Sequence, residues 1–211
     1  EAVLVIVAGT AKTAAKHILF CREKDQEREI WDGFRYGPEV AKESFGFDET
    51  YPVSKLDEYL PKLLADQPAI YTALGQNNTW DQRIIDWLNR VREQARSGVI
   101  APDQIHDCRG LLDEMRLIKG VDELQIMQRA ADISTQAHRR AMQATRPGMR
   151  EYEIEAELLY TFHRHGARAP AYTSIVAGGA NACVLHYVEN DDELKSGDLL
   201  LIDAGCELDG Y

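Results

Sequence analysis

Two residues of this sequence pair a reactive side chain with a demanding setting. Asp203 closes the apolar run Leu199-Leu200-Leu201-Ile202, and the small residues Ala204 and Gly205 follow it and leave room. A lone carboxylate in such a run is expected to be buried. Burial is costly unless a cation, a cluster of donors or a raised pKa compensates it, and a hard or borderline metal such as Mn²⁺ or Zn²⁺ does so directly. A turn-capping aspartate that accepts backbone N–H bonds fits the same spacing. His186 stands in Val184-Leu185-His186-Tyr187, which reads as an apolar strand downstream of the Gly178-Gly179 turn. A neutral imidazole there would hydrogen-bond a substrate carbonyl or the oxyanion of a tetrahedral intermediate. A core histidine satisfied by the protein itself matches the pattern too.

Other motifs carry less. The Ala177-Gly178-Gly179-Ala180-Asn181 segment lacks the Lys-Ser/Thr ending of a phosphate loop, so it reads as a tight connection. His163 and His165 are spaced i, i+2 and point to different sides of a helix; their place before Gly166 suits the helix dipole. Glu29 to Gly37 holds Trp31, Phe34 and Tyr36 with Gly33 and Gly37, and reads as an aromatic loop that serves an interface or covers a core. Arg96 reads as a capping cation. Cys21, Cys108, Cys183 and Cys206 form no C-x-x-C pair, which disfavours a structural zinc site and a disulfide framework and points to reduced, cytoplasmic thiols.

The elements that must position these residues follow from pattern and charge. With 24 Lys+Arg against 35 Asp+Glu the net charge is −11, which makes nucleic acid and anionic membranes poor partners. The densest basic stretch, Arg139-Arg140 with Arg146 and Arg150, reads as a solvated helix face. The longest apolar run, Ala2 to Ala8, falls far short of the roughly 20 residues of a membrane span.

In the first half, Ala2 to Ala8, His17 to Cys21 and Ala69 to Ala73 predict strands of an α/β domain. Ser54 with Asp57 predicts a capping box for a Lys55 to Ala65 helix that Pro61 should bend or shorten. Thr79 with Gln82 predicts another, opening a helix with the stripe Ile84, Leu88, Val91, Ala95 that closes at Ser97-Gly98. Asp107 to Lys119 reads as a charged connection, and the domain boundary is placed there, giving domains 1–116 and 117–211. The second half predicts a helix from about Val121 with the stripe Leu117, Val121, Leu124, Met127, Ala131, Ser134, His138, Ala141, ended by Pro147-Gly148. A second helix, Glu151 to His165, opens on an acid-rich turn suited to its dipole. Strands are predicted at Tyr172 to Val176, Cys183 to Tyr187 and Leu199 to Ile202, an antiparallel α+β plan. The sequence opens inside a strand, and its last strand, ending in Asp-Gly, wants a hairpin partner, so an internal piece of a longer polypeptide is expected.

Read in order, Arg116-Leu117-Ile118-Lys119, Glu123, Ala130-Ala131, Arg146-Pro147-Gly148-Met149-Arg150-Glu151, Gly166-Ala167, Ala171 to Asn181, Leu185-His186-Tyr187, Gly197 to Gly205 and Gly210-Tyr211 resemble a proline-specific M24 metallopeptidase. The first half resembles the amino-terminal domain of the same enzymes, with weaker motifs and without its first strand or so. The resemblance implies the first half of a "pita-bread" catalytic domain, whose two helix-plus-sheet halves hold two metal ions, most readily Mn²⁺. Asp203 matches the first metal ligand; a second aspartate, a histidine and two glutamates would follow Tyr211. His186 matches the histidine that contacts substrate, and Trp31 the aromatic that approaches a neighbouring subunit's site. The implied reaction is hydrolysis of the bond between an amino-terminal residue and a following proline by a hydroxide held between the metals. The implied partners are peptides with proline in second place and further copies of the chain, as a dimer or tetramer. The fragment alone is expected to be inactive. Arg150 stands where relatives place Thr or Ser as helix N-cap, which removes a hydroxyl acceptor worth up to about 1 kcal/mol. Rivals on the same fold are a prolidase, a metal-free creatinase and a catalytically dead relative that acts as an interaction module.

Overall fold

The structure is a computed structural model that describes residues 2–11 and 14–211. The chain divides into two compact units, Glu1–Met115 and Arg116–Tyr211.

In the first unit, β1 (Ala2–Val7) pairs antiparallel with β2 (Lys16–Cys21), and β2 pairs parallel with β3 (Glu49–Pro52). The parallel pairing needs a crossover, which α1 (Gln26–Asp32) and α2 (Gly37–Phe45) provide. Strand β1 is half-buried rather than buried: Val3, Val5 and Val7 face the core while Leu4 and Ile6 are exposed, as a period of two requires. Next come α3 (Leu56–Leu64), β4 (Ala69–Thr72), α4 (Asn78–Arg92) and β5 (Gln104–Asp107), with β4 and β5 parallel. Ile18 and Phe20 from β2, Leu56, Leu60 and Leu64 from α3, and Ile84, Trp87, Leu88 and Val91 from α4 form the core.

Both capping boxes expected here are replaced. Helix α3 has no side-chain cap, because Asp57 turns to α4 instead: its Oδ1 accepts from Arg83 Nη2 at 3.0 Å and Trp87 Nε1 at 2.8 Å. Pro61 lies inside the helix, which ends three residues later at Leu64. The N–H that Pro61 lacks would have gone to the Asp57 carbonyl, and Arg90 Nη1 takes that acceptor at 2.8 Å. Helix α4 is capped by Asn77, whose Oδ1 accepts from Trp80 N at 3.0 Å, so Thr79 lies inside it. The helix stops at Arg92, and Ala95, in a following 3₁₀ turn, is exposed. The Asp107 to Lys119 connection is mostly helical, as α5 (Arg109–Leu117) with no buried residue.

In the second unit, α6 (Val121–Ala144) and α7 (Glu151–Arg164) pack on two antiparallel pairs, β6 (Ala169–Pro170) with β9 (Cys206–Glu207) and β7 (Ile175–Gly178) with β8 (Leu200–Asp203). The stripe of α6 is displaced from the expected one. Ala130, Ile133, Ala137 and Ala141 are buried, whereas Leu117, Val121, Leu124 and Met127 are exposed. The helix carries apolar residues on two sides, and spacing alone does not choose between them. Residues 183–187 are no strand: a 3₁₀ turn, Gly179–Cys183, leads into an irregular turn that presents Val184 and Leu185 to solvent.

Candidate metal and substrate site

Asp203 is the last residue of β8, opposite Ile175 in the register with β7. Its carboxylate is exposed, which corrects the expected burial: the strand alternates, and the Asp203 side chain leaves the core face. Tyr172 OH donates to Asp203 Oδ1 at 2.6 Å. That bond, before any effect of burial, pushes the Tyr172 phenol up to about 12. The turn after Asp203 is held from below by α6. His138 Nε2 lies 2.9 Å from the Ala204 carbonyl, so the ring donates there, and Cys206 N donates to Ser134 Oγ at 3.1 Å. Ser134 and His138, expected on an apolar stripe, thus position the backbone beside the carboxylate.

His186 is exposed in the turn that follows the 3₁₀ segment, not within an apolar strand. The turn is fixed by a carboxylate that sequence reasoning assigned only to the helix dipole. Glu151, fully buried at the start of α7, accepts from Gly178 N at 2.7 Å, Asn181 Nδ2 at 3.1 Å, Tyr187 OH at 2.6 Å and Asp192 N at 3.0 Å. Burial alone would push the Glu151 carboxyl up; these donors outweigh it and hold the group below its ordinary range. A Cβ at Gly178 would come within 2.7 Å of Leu194 Cδ2 and 3.4 Å of Glu151 Oε1, so any side chain there requires Leu194 to shift. Arg150, the N-cap, contributes no side-chain acceptor; Glu153 Oε2 instead accepts from Arg150 N at 2.6 Å, and Arg150 Nη1 donates to the Asp191 carbonyl at 3.0 Å.

Trp31 lies in the other unit, on α1 rather than in a loop, and is 82% exposed. Asp25 caps that helix by accepting from Arg28 N, which makes Glu29 to Asp32 helical and leaves only Gly33 to Tyr36 as the aromatic turn.

Residues 125–211 match metallopeptidase family M24, and residues 1–71 match the aminopeptidase P N-terminal domain. The second unit is thus similar to metallopeptidase family M24 over residues 125–211. The Xaa-Pro aminopeptidase of Escherichia coli (strain K12) is 42% identical over 211 residues, 100% of this chain and 48% of that relative. The Xaa-Pro aminopeptidase of Haemophilus influenzae is 43% identical over 196 residues, 93% of this chain and 43% of the relative. Among solved structures, Escherichia coli aminopeptidase P in complex with substrate matches with a TM-score of 0.95 at 41% identity, covering 100% of this chain and 48% of that one. Pseudomonas aeruginosa aminopeptidase PepP matches at 0.92 and 47%, covering 98% and 46%. The chain spans about half the length of the relatives it matches.

The family that residues 125–211 match is one of metallopeptidases, which implies divalent metal ions. In the second unit Asp203 is a suitable single donor: an exposed anionic oxygen pair at a strand end, oriented by a phenol. Among the described residues no group of three or more His, Cys, Asp or Glu could hold a metal ion, so Asp203 stands there as a single carboxylate and not as part of a cluster. The signals that could have revealed the supporting residues are weak. Tyr172 and Glu151 matter through contacts 31 and 27 residues away in sequence, to Asp203 and Gly178, which no periodicity encodes.

Proposed function

We propose that this chain forms part of a metal-dependent aminopeptidase that hydrolyses the bond between an amino-terminal residue and a following proline. The observation that carries the reading is Asp203: an exposed carboxylate closing β8, held by Tyr172, in a unit whose relatives are Xaa-Pro aminopeptidases. Two divalent ions, most suitably Mn²⁺, would use Asp203 as one ligand together with donors outside these residues. When bound, such ions lower the pKa of water and polarise the scissile carbonyl.

The chain's own residues then do three things. Tyr172 fixes which Asp203 oxygen is engaged and which is free. His186, presented to solvent from its turn, donates a hydrogen bond to the carbonyl oxygen as negative charge develops on it. Trp31, almost wholly exposed on α1, narrows access for longer peptides from a neighbouring copy in a homo-oligomer. A cytoplasmic setting belongs to the same reading, and four free cysteines accord with a reducing compartment. Among the described residues no helix is long and apolar enough to cross a membrane.

With one carboxylate in place of a metal cluster, residues 1–211 alone are expected to bind Mn²⁺ weakly and to cleave nothing. Mn²⁺ stoichiometry and release of the amino-terminal residue from Xaa-Pro peptides, measured for residues 1–211 and for a polypeptide of the relatives' length, test this. Cleavage by 1–211, or none by the longer polypeptide with metal, would refute it.

A further inference from the structure

We infer that Glu151 is a positioning residue for His186: its buried carboxylate clamps the segment that carries this histidine on both sides. The inference rests on the role proposed for His186 in peptide hydrolysis, and it comes from how the Glu151 oxygens are used. Glu151 Oε1 accepts from Gly178 N and Asn181 Nδ2, which precede His186, while Oε2 accepts from Tyr187 OH and Asp192 N, which follow it. None of the four donors belongs to α7, the helix that bears Glu151. The free N–H at the helix start is served by Glu153, which accepts from Arg150 N, so capping does not account for Glu151.

Tyr187 is the residue next to His186, and its hydroxyl bond to Glu151 is the shortest of the four, at 2.6 Å. Asn181 also donates to Tyr187 OH at 3.1 Å and to Asp192 Oδ2 at 2.8 Å, which closes the network across the loop. A second buried side chain holds the far end. Asn190 Oδ1 accepts from Val176 N at 2.9 Å, and its Nδ2 donates to the Ser174 carbonyl at 2.9 Å and Glu155 Oε2 at 3.1 Å. The exposed imidazole therefore stands on a turn whose two flanks are pinned to the interior, although His186 itself is in solvent. A carboxylate accepts from all four donors at once; glutamine at this position places an NH₂ against some of them and keeps one accepting oxygen. Misplacing a reacting or stabilising group by about 1 Å costs on the order of 100-fold in rate.

The test has a structural arm and a kinetic arm. In the 211-residue chain with isotopically labelled histidine, Glu151→Gln should shift or broaden the His186 ring signals. Those of His138 and His165, which bond the Ala204 and Thr161 carbonyls, should stay in place and so report that α6 and α7 remain folded. If all three sets collapse together, Tyr187→Phe, which removes one donor of the four, decides: a shift confined to His186 supports the clamp, and an unmoved His186 overturns it. In a polypeptide of the relatives' length that cleaves Xaa-Pro peptides, Glu151→Gln should lower kcat about 10- to 100-fold with KM changed less than about threefold. The same substitution in a His186→Ala background should cost no further activity. Equal losses in the two backgrounds would show that Glu151 acts elsewhere and overturn the inference. A wild-type polypeptide that cleaves nothing would instead remove the peptidase reading, while a His186 shift in the labelled chain would still uphold the clamp.

Discussion

The Tyr172 hydroxyl donates to Asp203 Oδ1 at 2.6 Å, tying the segment before β7 to the last residue of β8. A bond from a phenol to a carboxylate is charge-assisted and directional, and it leaves the second oxygen to face solvent. Tyr172→Phe removes the donor and keeps the ring. Supporting groups of this kind are worth about 10- to 100-fold in metal affinity, so calorimetric titration of Mn²⁺ into a polypeptide of the relatives' length should show affinity at least about tenfold weaker. An unaltered affinity would separate Tyr172 from the metal-binding role proposed for Asp203.

The Glu151 carboxyl gives a pH dependence with a definite sign. Its pKa in the folded chain lies below the ordinary 4.5, so the unfolded state binds more protons in between, and stability rises with pH there. The contribution is fully present above the ordinary value and is lost as pH falls through the depressed one. Glu151→Gln should therefore destabilise the chain by about 1–3 kcal/mol at pH 7. Thermal unfolding of both forms should show the gap closing as the pH falls below the ordinary carboxylate value and through the depressed one. A constant gap at all pH values would mean that shape rather than charge accounts for it.

Helix α4 offers a local comparison. Asn77→Ala deletes the acceptor of the Trp80 N–H and should cost about 1 kcal/mol in urea unfolding. Thr79→Ala, inside the first turn and exposed, should stay within about 0.5 kcal/mol of wild type. The reverse ranking would restore Thr79 as the cap.

Trp31 is 82% exposed on α1, so Trp31→Ala should leave thermal stability within about 0.5 kcal/mol. In an active polypeptide of the relatives' length, kcat/KM should change more for long Xaa-Pro peptides than for short ones. Identical length preference in wild type and variant would count against a role in access.

Much of the architecture is legible without coordinates. Of the expected stripe, Ile84, Leu88 and Val91 are buried and Ala95 is not; the strands Ala2–Val7, Lys16–Cys21 and Ala69–Thr72 stand where the short apolar runs put them, and Gly166 follows the end of α7. What fails has a common cause. Asp57 and Ser134 look like a local cap and a stripe member, yet each is used by an element far along the chain, Asp57 by α4 and Ser134 by β9. Val184 and Leu185 have strand composition, but the carboxylate of Glu151 fixes their neighbourhood as a turn and turns them outward. Asp203 was legible as a residue of interest; its exposure was not, because a single strand does not reveal which face its last residue takes.

The closeness of Gly178 to Leu194 and to the Glu151 oxygen has an implication for how this region can vary. Adding one methyl group at position 178 would press on the Leu194 side chain and bring carbon into contact with the carboxylate before any charge had changed. Mutational drift at the end of β7, where the chain leaves for the turn bearing His186, is thus limited first by volume, and an alanine scan would register the interior of the protein at a residue that itself has no side chain to lose.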